Sequence, residues 1–157
     1  MAEDLFPEFD LEEDDGGYEE DDPESAENAV QAIAAPMFDF DKGEFITDNT
    51  GKVVIADQFN AWVQWCQKTV MTQADAAIAY DETYGIDKES ALAKNSRGAK
   101  QVALEDTIRS ALLADPYSRT LEVESFEWTD APGSDHMYCT VTLQHIAQIE
   151  AQIEVTI

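Results

Sequence analysis

Basic residues are scarce in this 157-residue chain: Lys and Arg together number 9, against 34 Asp and Glu, for a formal net charge of -25. A chain so poor in cations has little with which to displace the counterions condensed on a nucleic acid or to grip an anionic lipid surface, so neither is expected as a partner. Long apolar runs are missing too. No stretch approaches the ~18 to 20 apolar residues of a membrane-spanning helix, and the acid-rich first residues are the reverse of a secretory signal's basic start. A cytosolic product is expected. Cysteine is limited to Cys66 and Cys139, which match no metal-ligand spacing. Cys66 falls on an apolar helical face and Cys139 in a strand-like run, so both read as small buried hydrophobes in the reduced state. Histidine is limited to His136 and His145, neither with a partner at ligand spacing. GxSxG, P-loop, HExxH and CxxC are all absent, and no metal or cofactor is expected.

The acids that are present are unevenly placed. Residues 1–27 carry 14 of them and no Lys or Arg, which leaves 20 acids and 9 bases, about -11, on the other 130 residues. "MAEDLFPEFDLEEDDGGYEEDDPESAEN" cannot bury enough apolar area to offset its ordering entropy. Leu5, Phe6, Phe9 and Leu11, set among carboxylates, suit an arm that docks by apolar residues on a basic partner; a solubilising tail is the plainer reading. "NAVQAIAAP" makes either two helical turns ended by Pro36 or an extended linker. Residues 1–36 therefore read as an acidic arm and linker, and 37–157 as one domain with a core of its own.

Within that domain the apolar period changes twice. "FDFDKGEFITDNTGKVV" alternates and is punctuated by Gly43 and "DNTG", which predicts short strands, with "EFIT" and "KVVI" as a hairpin. The Asp39, Asp41, Gly43 spacing fails as a calcium loop, because a third oxygen ligand is needed where Gly43 stands. From Asp57, a suitable N-cap, Phe59, Trp62, Val63, Cys66 and Val70 follow helical spacing to about residue 71. Trp65 on the flank either seals the core or reaches a partner. A short helix is expected around Ala76, Ile78 and Tyr80, stopping near Gly85; "KESALAKNSRGAK" reads as a loop or frayed turn. A further helix, about 99–114, would bury Val102, Leu104, Ile108, Ala111, Leu112 and Leu113, and Pro116 ends it. The rest is strand. "RTLEVESFEW" alternates with Leu121 and Val123 inward and slips phase near Ser125, suggesting a bulge; "MYCTVTL" and the terminal "QIEAQIEVTI" follow. Strands, helices, then strands, without β-α-β alternation, predict an α+β fold: an antiparallel sheet with about three helices packed on it.

A glycosidase would need two carboxylates ~5 to 10 Å apart, one with its pKa raised by apolar surroundings. The candidates are Asp115, Glu122, Glu124 and Glu127, and the three glutamates fall at polar positions of a strand, where a solvated face is the plainer account.

"LFPEFD", "FDFDKGEFITDNTGKVV" ahead of a Trp-rich helix, "YDETYGID", and "ALLADP" running into "VESFEW" together resemble small baseplate proteins of Gram-positive phages and prophages with contractile tails. These are similar in turn to the "lysozyme-like" baseplate wedge protein that acts as sheath initiator in contractile tails, contractile bacteriocins and related injection systems. The resemblance covers nearly the whole chain after residue 36. It implies structural work rather than catalysis: a protein placed where the baseplate meets the first sheath ring, binding the helical bundle of other wedge subunits and offering strands to which sheath arms add. The implied partners are other baseplate wedge proteins, the tail sheath protein, and tube or hub proteins, with several copies, about six, per particle, assembled in the host cytoplasm. The family's characteristic motif is Glu-Pro-Arg between a helix and the C-terminal strands. Here "ADPYSRT" supplies Asp115 and Pro116 in kind and place, Tyr117 where arginine is expected, and Arg119 as the nearest arginine. By resemblance Asp115, Pro116 and Arg119 form the wedge contact, with Arg119 either swinging in to make the same contacts or marking a different mode of docking.

The terminal strand is the candidate for sheath docking. Ile149, Ala151, Ile153, Val155 and Ile157 point one way and Glu150, Gln152, Glu154 and Thr156 the other. The glutamates discourage promiscuous pairing, while no proline blocks the ladder. Two other readings remain: a cell-wall glycosidase, and an acidic inhibitor that mimics nucleic acid, the latter supported by charge alone.

Overall fold

Turn chemistry organises the first part of the chain. The computed structural model describes residues 35–75, 84–130 and 136–157; Leu5, Phe6, Phe9 and Leu11, the helix expected around Ala76, Ile78 and Tyr80, and most of the "TDAPGSD" turn lie outside them. Strands β1 (Phe38–Asp39) and β2 (Glu44–Phe45) pair antiparallel, with Phe38 opposite Phe45. Between them Asp39 is a turn residue: its Oδ1 accepts from the backbone N–H of Asp41 at 3.1 Å and of Lys42 at 3.0 Å. The carboxylate sought for calcium is thus committed to its own loop. The expected hairpin survives in reduced form, as a bridge between Thr47 and Val53 around Asp48, whose Oδ1 accepts from Thr50 and Lys52. Met37, Ile46 and Val54 close a cycle: Met37 N–H donates to Val54, Val54 to Ile46 and Ile46 to Met37, at 2.8–2.9 Å.

Three helices follow among the described residues: α1 (Gln58–Met71), α2 (Lys88–Leu92) and α3 (Arg97–Leu113). Asp57 caps α1 as expected, accepting from Asn60 N–H at 2.7 Å. The polar stretch read as a loop instead holds α2 and the first turn of α3. Capping explains the difference: Asp87 accepts from Ser90 N–H at 3.0 Å and Ser96 from Ala99 N–H at 3.2 Å, each satisfying a donor that a helix start leaves orphaned. On α3 the buried stripe is Leu104, Ile108, Ala111 and Leu112, while Val102 and Leu113 are 58% and 47% exposed. At ~100° per residue Val102 lies nearly opposite Leu104, and Leu113 a quarter-turn past Leu112.

β3 (Thr120–Asp130), β4 (Met137–His145) and β5 (Glu150–Thr156) form an antiparallel sheet in the order β3-β4-β5. The β3–β4 register breaks twice, between Thr120 and Glu122 and between Val123 and Ser125. The second break is the bulge expected near Ser125. The first corrects the placement of Leu121, which is exposed because the shift turns Thr120 inward, where its Oγ1 accepts the indole N–H of Trp62 at 2.9 Å. α1 packs on β5 and α3 on β3. Trp62, Cys66 and Val70 meet Leu104, Ile108 and Leu112 over Val123, Val141, Leu143, Ile153 and Val155. The fold is α+β, and no helix among the described residues is long and apolar enough to cross a membrane.

Candidate functional site

Pro116 stops α3 at Leu113, and residues 115–119 build a compact electrostatic corner. The Asp115 carboxylate accepts from Arg119 three times, from Nε, Nη2 and the backbone N–H, each at 2.9 Å, and from Tyr117 N–H at 3.2 Å. Ser118, at φ 51, supplies the left-handed step that brings Arg119 back over Asp115. The Asp115 side chain is fully buried and that of Arg119 nearly so. The guanidinium carbon lies 5.0 Å from the Tyr117 ring and 5.7 Å from the Trp65 ring. Two of the three motif residues are therefore joined in a bidentate pair. Tyr117 shields the guanidinium it replaces in sequence, and Pro116 is exposed beside them.

The surroundings of the pair are dry on one side. Burial, before any other cause, pushes the Cys66 thiol beside the pair up to about 12. His145 stands edge-on to Trp62 at 4.8 Å and accepts at Nδ1 from Ala147 N–H at 3.1 Å. Burial first, and the Arg119 charge second, hold its pKa below the ordinary histidine value. Of the carboxylates considered for glycosidase chemistry, Asp115 is committed to Arg119, and Glu122, Glu124 and Glu127 are exposed along β3.

The terminal strand presents a second feature. Ile157 and Met137 exchange both backbone bonds, at 2.8 and 3.0 Å, and His145 N–H donates to Ile149 at 2.9 Å. Antiparallel alternation then turns the backbone of Ile149, Ala151, Ile153, Val155 and Ile157 toward β4, and that of Glu150, Gln152, Glu154 and Thr156 outward. Among the described residues no strand pairs with this outer edge. Ile153 and Val155 lie in the core, whereas Ile149 is exposed. The groups available to an added strand thus belong to four polar residues, which the apolar pattern passes over. The alternation rule identifies them once β4 is known to be the neighbour. One outward carbonyl, of Glu154, accepts from Gln67 Nε2 of α1 at 2.8 Å. A cleft of about 320 Å³ runs along this edge between Gln152 and Glu154 on one side and Phe38, Phe40 and Val63 on the other.

Adjoining that cleft, and sharing Phe38, Phe40 and Gln64 with it, is a larger groove, about 450 Å³, walled by Phe38, Phe40, Phe45, Trp65 and Tyr117, with Lys68 and Arg119 also lining it. Trp65 packs against the core and also forms a groove wall. A family model described as contractile injection system sheath initiator matches residues 36–148. No curated protein matches the chain.

Proposed function

The chain belongs to the sheath-initiator family of contractile injection systems, and from that membership we propose that it is a non-enzymatic baseplate component on which the first sheath ring assembles by strand addition to β5. The carrying observation is the outer edge of β5, which no strand among the described residues pairs with, the backbone groups of Glu150, Gln152, Glu154 and Thr156 being turned outward with a cleft beside them. An extended sheath segment would gain a main-chain ladder there, and the cleft walls Phe38, Phe40 and Val63 would receive alternate side chains. Gln67 would release the Glu154 carbonyl as the incoming strand takes it over. The Asp115–Arg119 corner, with exposed Pro116 and Tyr117, is the proposed contact with other wedge proteins, in a particle built in the host cytoplasm.

Proline at an outward-facing position tests the edge. Deleting 149–157 would also remove Ile153 and Val155 from the core, whereas Gln152→Pro removes one outward N–H and leaves the bonds to β4 in place. The expected result is a purified variant that unfolds close to the parent, and particles with baseplates but no sheath by electron microscopy. Sheaths of normal length on Gln152→Pro particles would overturn strand addition at β5. No turbidity loss is expected with peptidoglycan, since the buried carboxylate is held by Arg119 rather than kept for proton transfer.

A further inference from the structure

The groove between the N-terminal strands and α1 combines three properties that together describe an occupant. Its walls are aromatic, with Phe38, Phe40 and Phe45 facing Trp65 and Tyr117. Its charged lining residues are Lys68 and Arg119, the latter paired with Asp115, and among the described residues no carboxylate lines it, in a chain where acids outnumber bases 34 to 9. Gln64, which it shares with the cleft beside β5, carries an unsatisfied donor. Gln64 Oε1 accepts the Phe38 N–H at 2.6 Å, which fixes the orientation of the amide, and the Nε2 left over is buried without a partner among the described residues. A buried orphan donor is costly and is normally met by an oxygen. The occupant that fits is an extended segment carrying apolar and aromatic side chains, carboxylates and peptide carbonyls.

We propose that the occupant is the chain's own N-terminal segment, residues 5–11, with Leu5, Phe6, Phe9 and Leu11 seated among the groove aromatics and an oxygen of the segment on Gln64. The sequence "LFPEFDL" alternates the two chemistries the groove accepts. The tether favours this source over others. Ala35 and Pro36, where the described chain begins, line the groove themselves, and 23 residues separate Leu11 from Ala35. Such a tether spans roughly 80 Å when extended and about 25–30 Å as a flexible coil, so the segment reaches the groove without strain. Its effective concentration there is on the order of millimolar, above that of any free partner in dilute solution. Strand addition at β5 uses the adjoining cleft, which shares Phe38, Phe40 and Gln64 with this groove; the two are read separately, one by sheath formation on Gln152→Pro particles and the other by the indole signal of Trp65.

A spin label on the full chain tests it. Glu3→Cys is labelled with a nitroxide; Cys66 and Cys139, being buried, leave the introduced thiol as the reactive one. Indole N–H signals are then compared in the oxidised and reduced states. The Trp65 signal, assigned with Trp65→Phe, should be broadened away. The Trp128 signal, on the far edge strand and bonded to Glu105, should persist. Replacing Leu5, Phe6, Phe9 and Leu11 together by Ser should restore the Trp65 signal. Equal effects on both indoles, or broadening that survives the four replacements, would overturn the proposal. Broadening of an isotope-labelled chain by a separately spin-labelled one would overturn it in favour of a second copy's arm.

Discussion

Asp115 and Arg119 are the residues whose chemistry depends most on each other. A bidentate pair buried to this degree is held by mutual compensation, so removing one member leaves the other as an uncompensated charge. Arg119→Ala should cost about 3–5 kcal/mol, read from urea unfolding, while Asp115→Leu combined with Arg119→Met should recover most of that loss. Arg119→Lys should fall between, since an ammonium cannot form the fork or stack on Trp65 and Tyr117. His145 gives the corner a pH dependence. Its depressed pKa means the unfolded chain binds the proton more readily, so its contribution is complete above the ordinary histidine value of ~6.5 and is lost as pH falls through the folded-state value. His145→Asn keeps an acceptor for Ala147 N–H but cannot titrate. The stability advantage of the parent over this variant should therefore shrink between pH 7 and pH 5 in paired unfolding curves. The identity of these residues was legible in "ADPYSRT". That Arg119 rather than Tyr117 completes the pair was not, because it depends on the left-handed step at Ser118.

Elements follow the apolar period where it is strong and the caps where it is weak. α1 was readable residue by residue because its cap, its stripe and its burial agree. α2 was missed, and α3 was placed two residues late, because "KESALAKNSRGAK" has no apolar stripe, yet Asp87 and Ser96 each begin a helix through one side-chain hydrogen bond. Ser96→Ala should cost about 1 kcal/mol, with an unchanged dependence on denaturant in urea titrations and faster amide exchange over residues 97–100. The strands show the complementary limit. Alternation put Ile153 and Val155 in the core, but the register break at Thr120 moved Leu121 to the surface, since one extra residue reverses the facing of its neighbours.

At the scale of the whole molecule, charge and the position of α1 are decisive. A net charge of -25 on 157 residues opposes the compact state by self-repulsion, which salt screens. The melting temperature should therefore rise with sodium chloride between about 10 mM and 500 mM, a range over which the screening length falls from ~30 Å to a few ångströms; a falling or flat dependence would show that specific pairs outweigh the general field. α1 lines two adjoining concave surfaces: Trp65 and Lys68 line the aromatic groove, Val63 and Gln67 the cleft beside β5, and Gln64 both. The sequence by itself determined the α+β class, the concentration of acids in residues 1–27, the core stripe of α1 and the burial of Ile153 and Val155 on β5. Each of these follows from local periodicity or composition, which no distant contact has to supply. Tertiary structure alone decided that β5 lies at an edge, that its outward backbone belongs to Glu150, Gln152, Glu154 and Thr156, and that Phe38 and Phe45 meet Trp65 and Tyr117 around one groove. Those outcomes depend on which strands pair and which helix packs between them, and such non-local choices leave no period in the chain.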